Sequence, residues 1–100
     1  METFDYAAHR LAAQIDDTAF SKALNVWREI KGLRKFEVQR LLEIESPSEF
    51  SHFLHGHRAW PLDLKARAIV RLPKFRSVVT LFIEGGDGTT KKEAVRMKIQ

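Results

Sequence analysis

The stretch Leu24 to Gly56 reads LNVWREIKGLRKFEVQRLLEIESPSEFSHFLHG, and its punctuation decides the fold. Phe20, Leu24, Trp27 and Ile30 recur at helical spacing and form an apolar stripe that ends at Gly32, a residue suited to the left-handed position after a helix. A second helix is predicted over about Lys35 to Leu42, with Val38, Leu41 and Leu42 facing inward. The polar break Glu45-Ser46-Pro47-Ser48 follows. Ser46 suits an N-cap and Pro47 the first helical position, where its missing N–H costs nothing. The helix it opens runs to about His55, with Phe50, Phe53 and Leu54 apolar and Gly56 at its end.

Outward from this stretch the pattern continues. On the N-terminal side Phe4, Ala8, Leu11 and Ile15 predict a helix, with Thr3 as a cap, and Asp16-Asp17-Thr18 breaks it and offers Asp17 or Thr18 as the next cap. On the C-terminal side Pro61 opens a fifth helix lined by Leu62, Ala66, Ile69 and Leu72, and Pro73 stops it. Trp60 is expected to pack over that helix. Val78-Val79-Thr80-Leu81-Phe82-Ile83 is β-branched and aromatic, Gly85-Gly86-Asp87-Gly88 is a turn signal, and Val95, Met97 and Ile99 alternate with Arg96 and Lys98. This reads as a β-hairpin. The competing reading is a sixth helix using Phe75, Val78, Val79 and Phe82.

The expected architecture is therefore mainly α: five short helices followed by a C-terminal β-hairpin, in a single domain. Residues 1–17 form the N-terminal helix, 18–72 the core and 75–100 the hairpin or a dimerisation extension. One hundred residues with 44% apolar and 30% charged side chains suit one globular domain. With no cysteine, the chain has no disulfide, thiolate metal site or cysteine nucleophile. No apolar run approaches the roughly 18 residues needed to span a bilayer, and no basic-then-apolar leader is visible. A soluble cytoplasmic protein is expected, without a membrane partner.

Charge is unevenly spread. The net charge is +4. Between His52 and Arg76 lie Arg58, Lys65, Arg67, Arg71, Lys74 and Arg76 against the single acid Asp63, so this window carries +5 and the rest of the chain −1. His52, His55 and His57 fall in it too. Such a segment suits a polyanion. Catalysis is not indicated. His52-x-x-His55-x-His57 is the nearest thing to a ligand set, but it lacks the glutamate of a zinc hydrolase, and Gly85-Gly86-Asp87-Gly88 lacks the lysine of a phosphate loop. Neither a metal, a cofactor nor a small-molecule substrate is expected.

The quoted stretch resembles the helix-turn-helix domain of the phage repressor and Cro family. Trp27-Arg28-Glu29-Ile30-Lys31-Gly32-Leu33 is similar to the family's first helix and its exit. Val38-Gln39-Arg40-Leu41-Leu42 with Ile44 is similar to the second helix and the apolar position after the turn. Ser46-Pro47-Ser48-Glu49-Phe50-Ser51 and Gly56-His57-Arg58 resemble the opening and exit of the recognition helix. The resemblance covers about half the chain. Glu43 stands where the family has glycine, Gln39 replaces a small residue, and the turn is one residue longer.

The resemblance implies a lambda-repressor-like core and a transcriptional regulator of phage or mobile-element type. Such a regulator would bind double-stranded DNA as a homodimer, with the hairpin assisting dimerisation. For the helix after Ser46, burial of Phe50 and Phe53 turns Ser48, Glu49, His52 and His55 outward, where they can meet base edges in a major groove. Ser46 and the helix N-terminus suit a phosphate. Arg34 and Lys35 occupy a backbone-contacting position, and His57 and Arg58 lie just past the exit. A protein-interaction module that kept the helical fold, such as a phage-encoded inhibitor or an antitoxin-like partner, is the alternative. Glu49 on the reading edge speaks for it.

Overall fold

The computed structural model describes residues 4–85 and 88–99, and among the described residues there are seven helices. They are α1 (Tyr6–Gln14), α2 (Asp17–Lys31), α3 (Lys35–Leu41), α4 (Pro47–Leu54), α5 (Leu62–Arg71), α6 (Phe75–Ile83) and α7 (Gly88–Ile99). α1 lies against α5 and α6, α2 against α6 and α7, and α3 against α4. The expected Thr3 cap and residues 86–87 of the Gly-rich turn lie outside the described residues. Asp5 caps α1, accepting from the Ala8 N–H at 2.9 Å, and Asp16, rather than Asp17 or Thr18, caps α2 at 2.8 Å from the Ala19 N–H.

The C-terminal β-hairpin is not formed; no strand occurs among the described residues. Phe75, Val78, Val79 and Phe82 fall on one face of α6 and are all buried, so the run from Val78 to Ile83 satisfies a helical period within an apolar surround. Val95, Met97 and Ile99 also lie on a helix. A strand would put all three on one side. In α7, Val95 and Ile99 share the buried face four residues apart, while Met97 is 84% exposed on the other.

Three successive helices end in the same hydrogen-bonded motif. At the end of α2 the N–H groups of Gly32 and Leu33 donate to Glu29 O and Arg28 O; at the end of α3 those of Glu43 and Ile44 donate to Arg40 O and Gln39 O; at the end of α4 those of Gly56 and His57 donate to Phe53 O and His52 O. Each pair consumes carbonyls that the helix end leaves without partners, and each requires a left-handed residue. That residue has φ of 70° at Gly32, 58° at Glu43 and 79° at Gly56.

The core runs continuously from Ala8 to Ile99. Trp27 is buried edge-on to Phe75 and donates its indole N–H to Pro73 O at 2.8 Å, which ties α2 to the α5–α6 corner. Trp60 is buried, stacks on Phe53 with centroids 5.0 Å apart and meets Phe20 and Phe50 edge-on, so its ring partners come from α2 and α4. Two inward expectations fail. Leu41 is 44% exposed, because Val38 and Leu42, four apart, take the inner face of short α3. Leu62 is half exposed, because α5 turns Leu64, Lys65, Ala68 and Ile69 inward.

Candidate nucleic-acid interface

α4 is seated from below. Phe50 and Phe53 are buried against Trp60, whose indole N–H donates to Ser21 Oγ at 2.9 Å. Ser21 in turn donates to Phe53 O at 3.3 Å, so α2 holds the α4 backbone directly. The Trp60 backbone N–H donates to Asp17 Oδ2 at 3.1 Å, and the other oxygen of that carboxylate lies 2.6 Å from Lys65 Nζ. Lys65 is 7% exposed and also donates to Ile15 O at 2.8 Å. A buried charge is tolerated only when paired and hydrogen-bonded, and both conditions are met. The start of α2, the middle of α5 and the residue under α4 are thereby joined.

The turn leading into α4 is held with equal care. Gln39 Nε2 donates to Ile44 O at 2.8 Å, a bond the small residue of the resembling family cannot make. Arg67 donates to Leu42 O at 2.9 Å, and Arg71 pairs with Glu43 at 2.8 Å. Ser46 caps α4, accepting from the Glu49 N–H at 3.3 Å, and its hydroxyl lies 2.9 Å from that of Ser48.

The upper edge of α4 is open. Ser48, His52 and His55 are exposed, four and three residues apart. His55 Nδ1 donates to Ser51 O at 2.8 Å, which fixes the imidazole against the last turn of α4. The His52 and His57 rings meet edge-on at 5.9 Å, and His57 with Arg58 folds back on the end of α4 through N–H bonds to His52 O. Glu49 is only half exposed. Its carboxylate is 3.5 Å from Arg58 Nη1, while the same guanidinium lies over the Phe53 ring at 5.8 Å. Arg58 is thus laid along the flank of α4 instead of projecting past its exit. Among the described residues no group of three or more His, Cys, Asp or Glu is arranged to hold a metal ion.

Folding redistributes the charge. Of the six cations in the His52–Arg76 window, Arg58, Lys65, Arg71 and Arg76 pair with Glu49, Asp17, Glu43 and Asp5, and Arg67 is spent on a carbonyl. All four acids come from outside the window, so it is not the strongly positive surface its local sequence suggests. Arg34 and Lys35 are exposed at the start of α3. Beside them are Lys31 and Arg40, both exposed, the latter over the ring of Phe36 at 5.3 Å. Among the described residues none of these four makes an ion pair. Sequence reasoning missed Lys31 and Arg40; for Arg40 the signal was its place two residues from the inward Val38, on the opposite side of α3. Ser46, Ser48, His52, His55, His57 and Arg58 gather on α4 and its exit, whereas Arg34 and Lys35 lie on the neighbouring element α3.

No family model, curated protein or solved structure matches the chain. Among the described residues no helix is long and apolar enough to cross a membrane.

Proposed function

We propose that this chain is a sequence-specific double-stranded-DNA-binding regulator of the helix-turn-helix type, with α4 as the reading helix and a homodimer as the binding unit. The observation that carries this reading is the seating of α4. Its underside is fixed by Phe50, Phe53 and Trp60, while Ser48, His52 and His55 stay exposed along one edge. A helix so held fits a major groove, where hydroxyls and imidazoles can meet base edges. The left-handed backbone of Glu43, at the position where the resembling family has glycine, supports the same reading. Lys31, Arg34, Lys35 and Arg40 supply charge for the phosphates, which give most of the affinity and make it fall with salt. In a two-fold dimer the two α4 helices would enter successive grooves about 34 Å apart.

The test is retardation of a random duplex at two salt concentrations, followed by selection of bound sequences from a random pool. Salt-sensitive retardation and an enriched sequence that relaxes in the Ser48→Ala, His52→Ala double variant are expected. Specificity unchanged by that double variant would reject α4 as the reader.

A second reading, a protein-interaction module, is favoured by one observation. Glu43, Glu45 and Glu49 surround the opening of α4, and the sequence's basic window is largely consumed within the fold. Absence of retardation even at low salt selects it.

A further inference from the structure

Beside the C-terminal end of α4 is a groove of about 400 Å³ between α2 and the loop joining α4 to α5. One wall carries Lys22 and Asn25 of α2; the other carries His55, Gly56 and Arg58. We propose that this groove receives a phosphodiester of the duplex backbone, with Lys22 and Asn25 as its donors from α2 and Arg58 opposite. The proposal rests on the reading of α4 as a DNA-facing helix and extends the contact to an element outside the helix pair α3–α4.

Four observations carry it. Lys22 is exposed and makes no ion pair among the described residues, so its ammonium is available to an anion. The one acid in the groove, Asp17, is already bound by Lys65 at 2.6 Å and by the Trp60 N–H, so its charge is largely matched from behind. Arg58 is held by Glu49 only at 3.5 Å, on exposed side chains, a bond worth little in water and easily exchanged for a phosphate. Gly56 has φ of 79°, and a Cβ built on it would meet nothing within 4 Å, so the loop presents open space and bare backbone there.

Continuity with α4 fixes the occupant. His55 belongs both to the exposed edge of α4 and to the groove wall. Eight residues at about 1.5 Å each make α4 roughly 12 Å long, close to the width of the major groove. A helix of that length lying across the groove brings its end to the sugar-phosphate wall, and the α2 groove is adjacent to that end.

The experiment is fluorescence anisotropy with a labelled random duplex at 50 and 200 mM salt, on the wild-type chain and on Lys22→Ala, Lys22→Glu and the Lys22→Ala, Asn25→Ala double variant. Each variant is expected to weaken binding to all sequences alike. Loss of one phosphate contact lowers the log–log salt slope by about 0.9, so the fall in affinity between the two salts shrinks about 3.5-fold. Thermal melts of the variants should match the wild type, since Lys22 is exposed and, among the described residues, neither the Lys22 nor the half-buried Asn25 side chain makes a hydrogen bond or ion pair. Wild-type affinity and slope in the double variant, with His52→Ala still altering sequence preference, would remove the groove from the interface and leave the α4 reading standing. No binding of duplex by the wild type overturns both.

Discussion

Arg71 of α5 holds Glu43 by a 2.8 Å ion pair at the one left-handed non-glycine residue among the three helix ends that share the same closing motif. An L-residue in that conformation costs about 1–2 kcal/mol, and a half-exposed ion pair returns at most about 1 kcal/mol. Glu43→Gly relieves the strain but loses the pair and loosens the unfolded chain. Its stability is expected within about 0.5 kcal/mol of wild type. Glu43→Val, which cannot adopt the conformation without strain, should lose about 2 kcal/mol and lower Tm by roughly 10 °C. Thermal melts of the two variants decide; equal losses would mean that the backbone there is not left-handed.

Asp17 and Lys65 should respond unequally to loss of their partner. The Asp17 side chain is 40% exposed and the Lys65 side chain 8%. Asp17→Ala strands a buried ammonium and also frees the Trp60 N–H, so it is expected to cost about 3 kcal/mol. Lys65→Met leaves a carboxylate that water can reach, and costs about 1 kcal/mol, chiefly through the Ile15 carbonyl. Urea unfolding of both variants checks the order; the reverse order would refute the buried-cation account.

Ser21→Ala removes the hydroxyl that accepts from the Trp60 indole and donates to Phe53 O. The Trp60 indole N–H then lies buried without an acceptor, whereas Phe53 O keeps the Gly56 N–H, and the expected loss is about 1–2 kcal/mol. In the same variant duplex affinity should fall further than stability alone dictates, because α4 loses its tie to α2. A variant that melts normally and binds normally would show that this tie positions nothing.

Asp5 supplies the pH dependence. The Arg76 guanidinium at 2.6 Å, together with the Ala8 N–H, holds its carboxyl below the usual carboxylate range. A group held low in the folded state stabilises at pH values above its unfolded range, and that contribution disappears as pH falls through its folded range. Asp5→Asn keeps a good helix cap but cannot titrate. The wild type should therefore exceed the variant in Tm at neutral pH, and the difference should close below about pH 4. A difference constant with pH would exclude Asp5 as the titrating group.

The parts of the fold legible in sequence were those written in contiguous residues. Gly32, the Ser46-Pro47 opening and Gly56 mark helix ends by local chemistry, and Phe50 and Phe53 mark the seat of α4 by spacing. What was not legible depended on distant partners. Val78 to Ile83 is apolar except for Thr80, and such a run fits a buried strand or a buried helix until its surround is known. Val95, Met97 and Ile99 satisfied both a two-residue alternation and a four-residue repeat, and only the exposure of Met97 separates them. The basic window misled for the same reason: Arg58 is matched from nine residues away and Arg76 from seventy-one. The candidate edge Ser48, His52 and His55 followed from periodicity alone, whereas Lys22 and Asn25 emerge as neighbours of α4 only once α2 is folded against it.

The placement of the two indoles has a practical consequence. Trp27 sits against Phe75 in the far half of the core, and Trp60 sits under α4. In a Trp27→Phe background the remaining emission becomes a built-in optical gauge of one joint. A red shift there records α4 lifting from its bed while far-ultraviolet dichroism still reports intact helices, so loosening at the reading edge can be timed separately from collapse of the whole molecule.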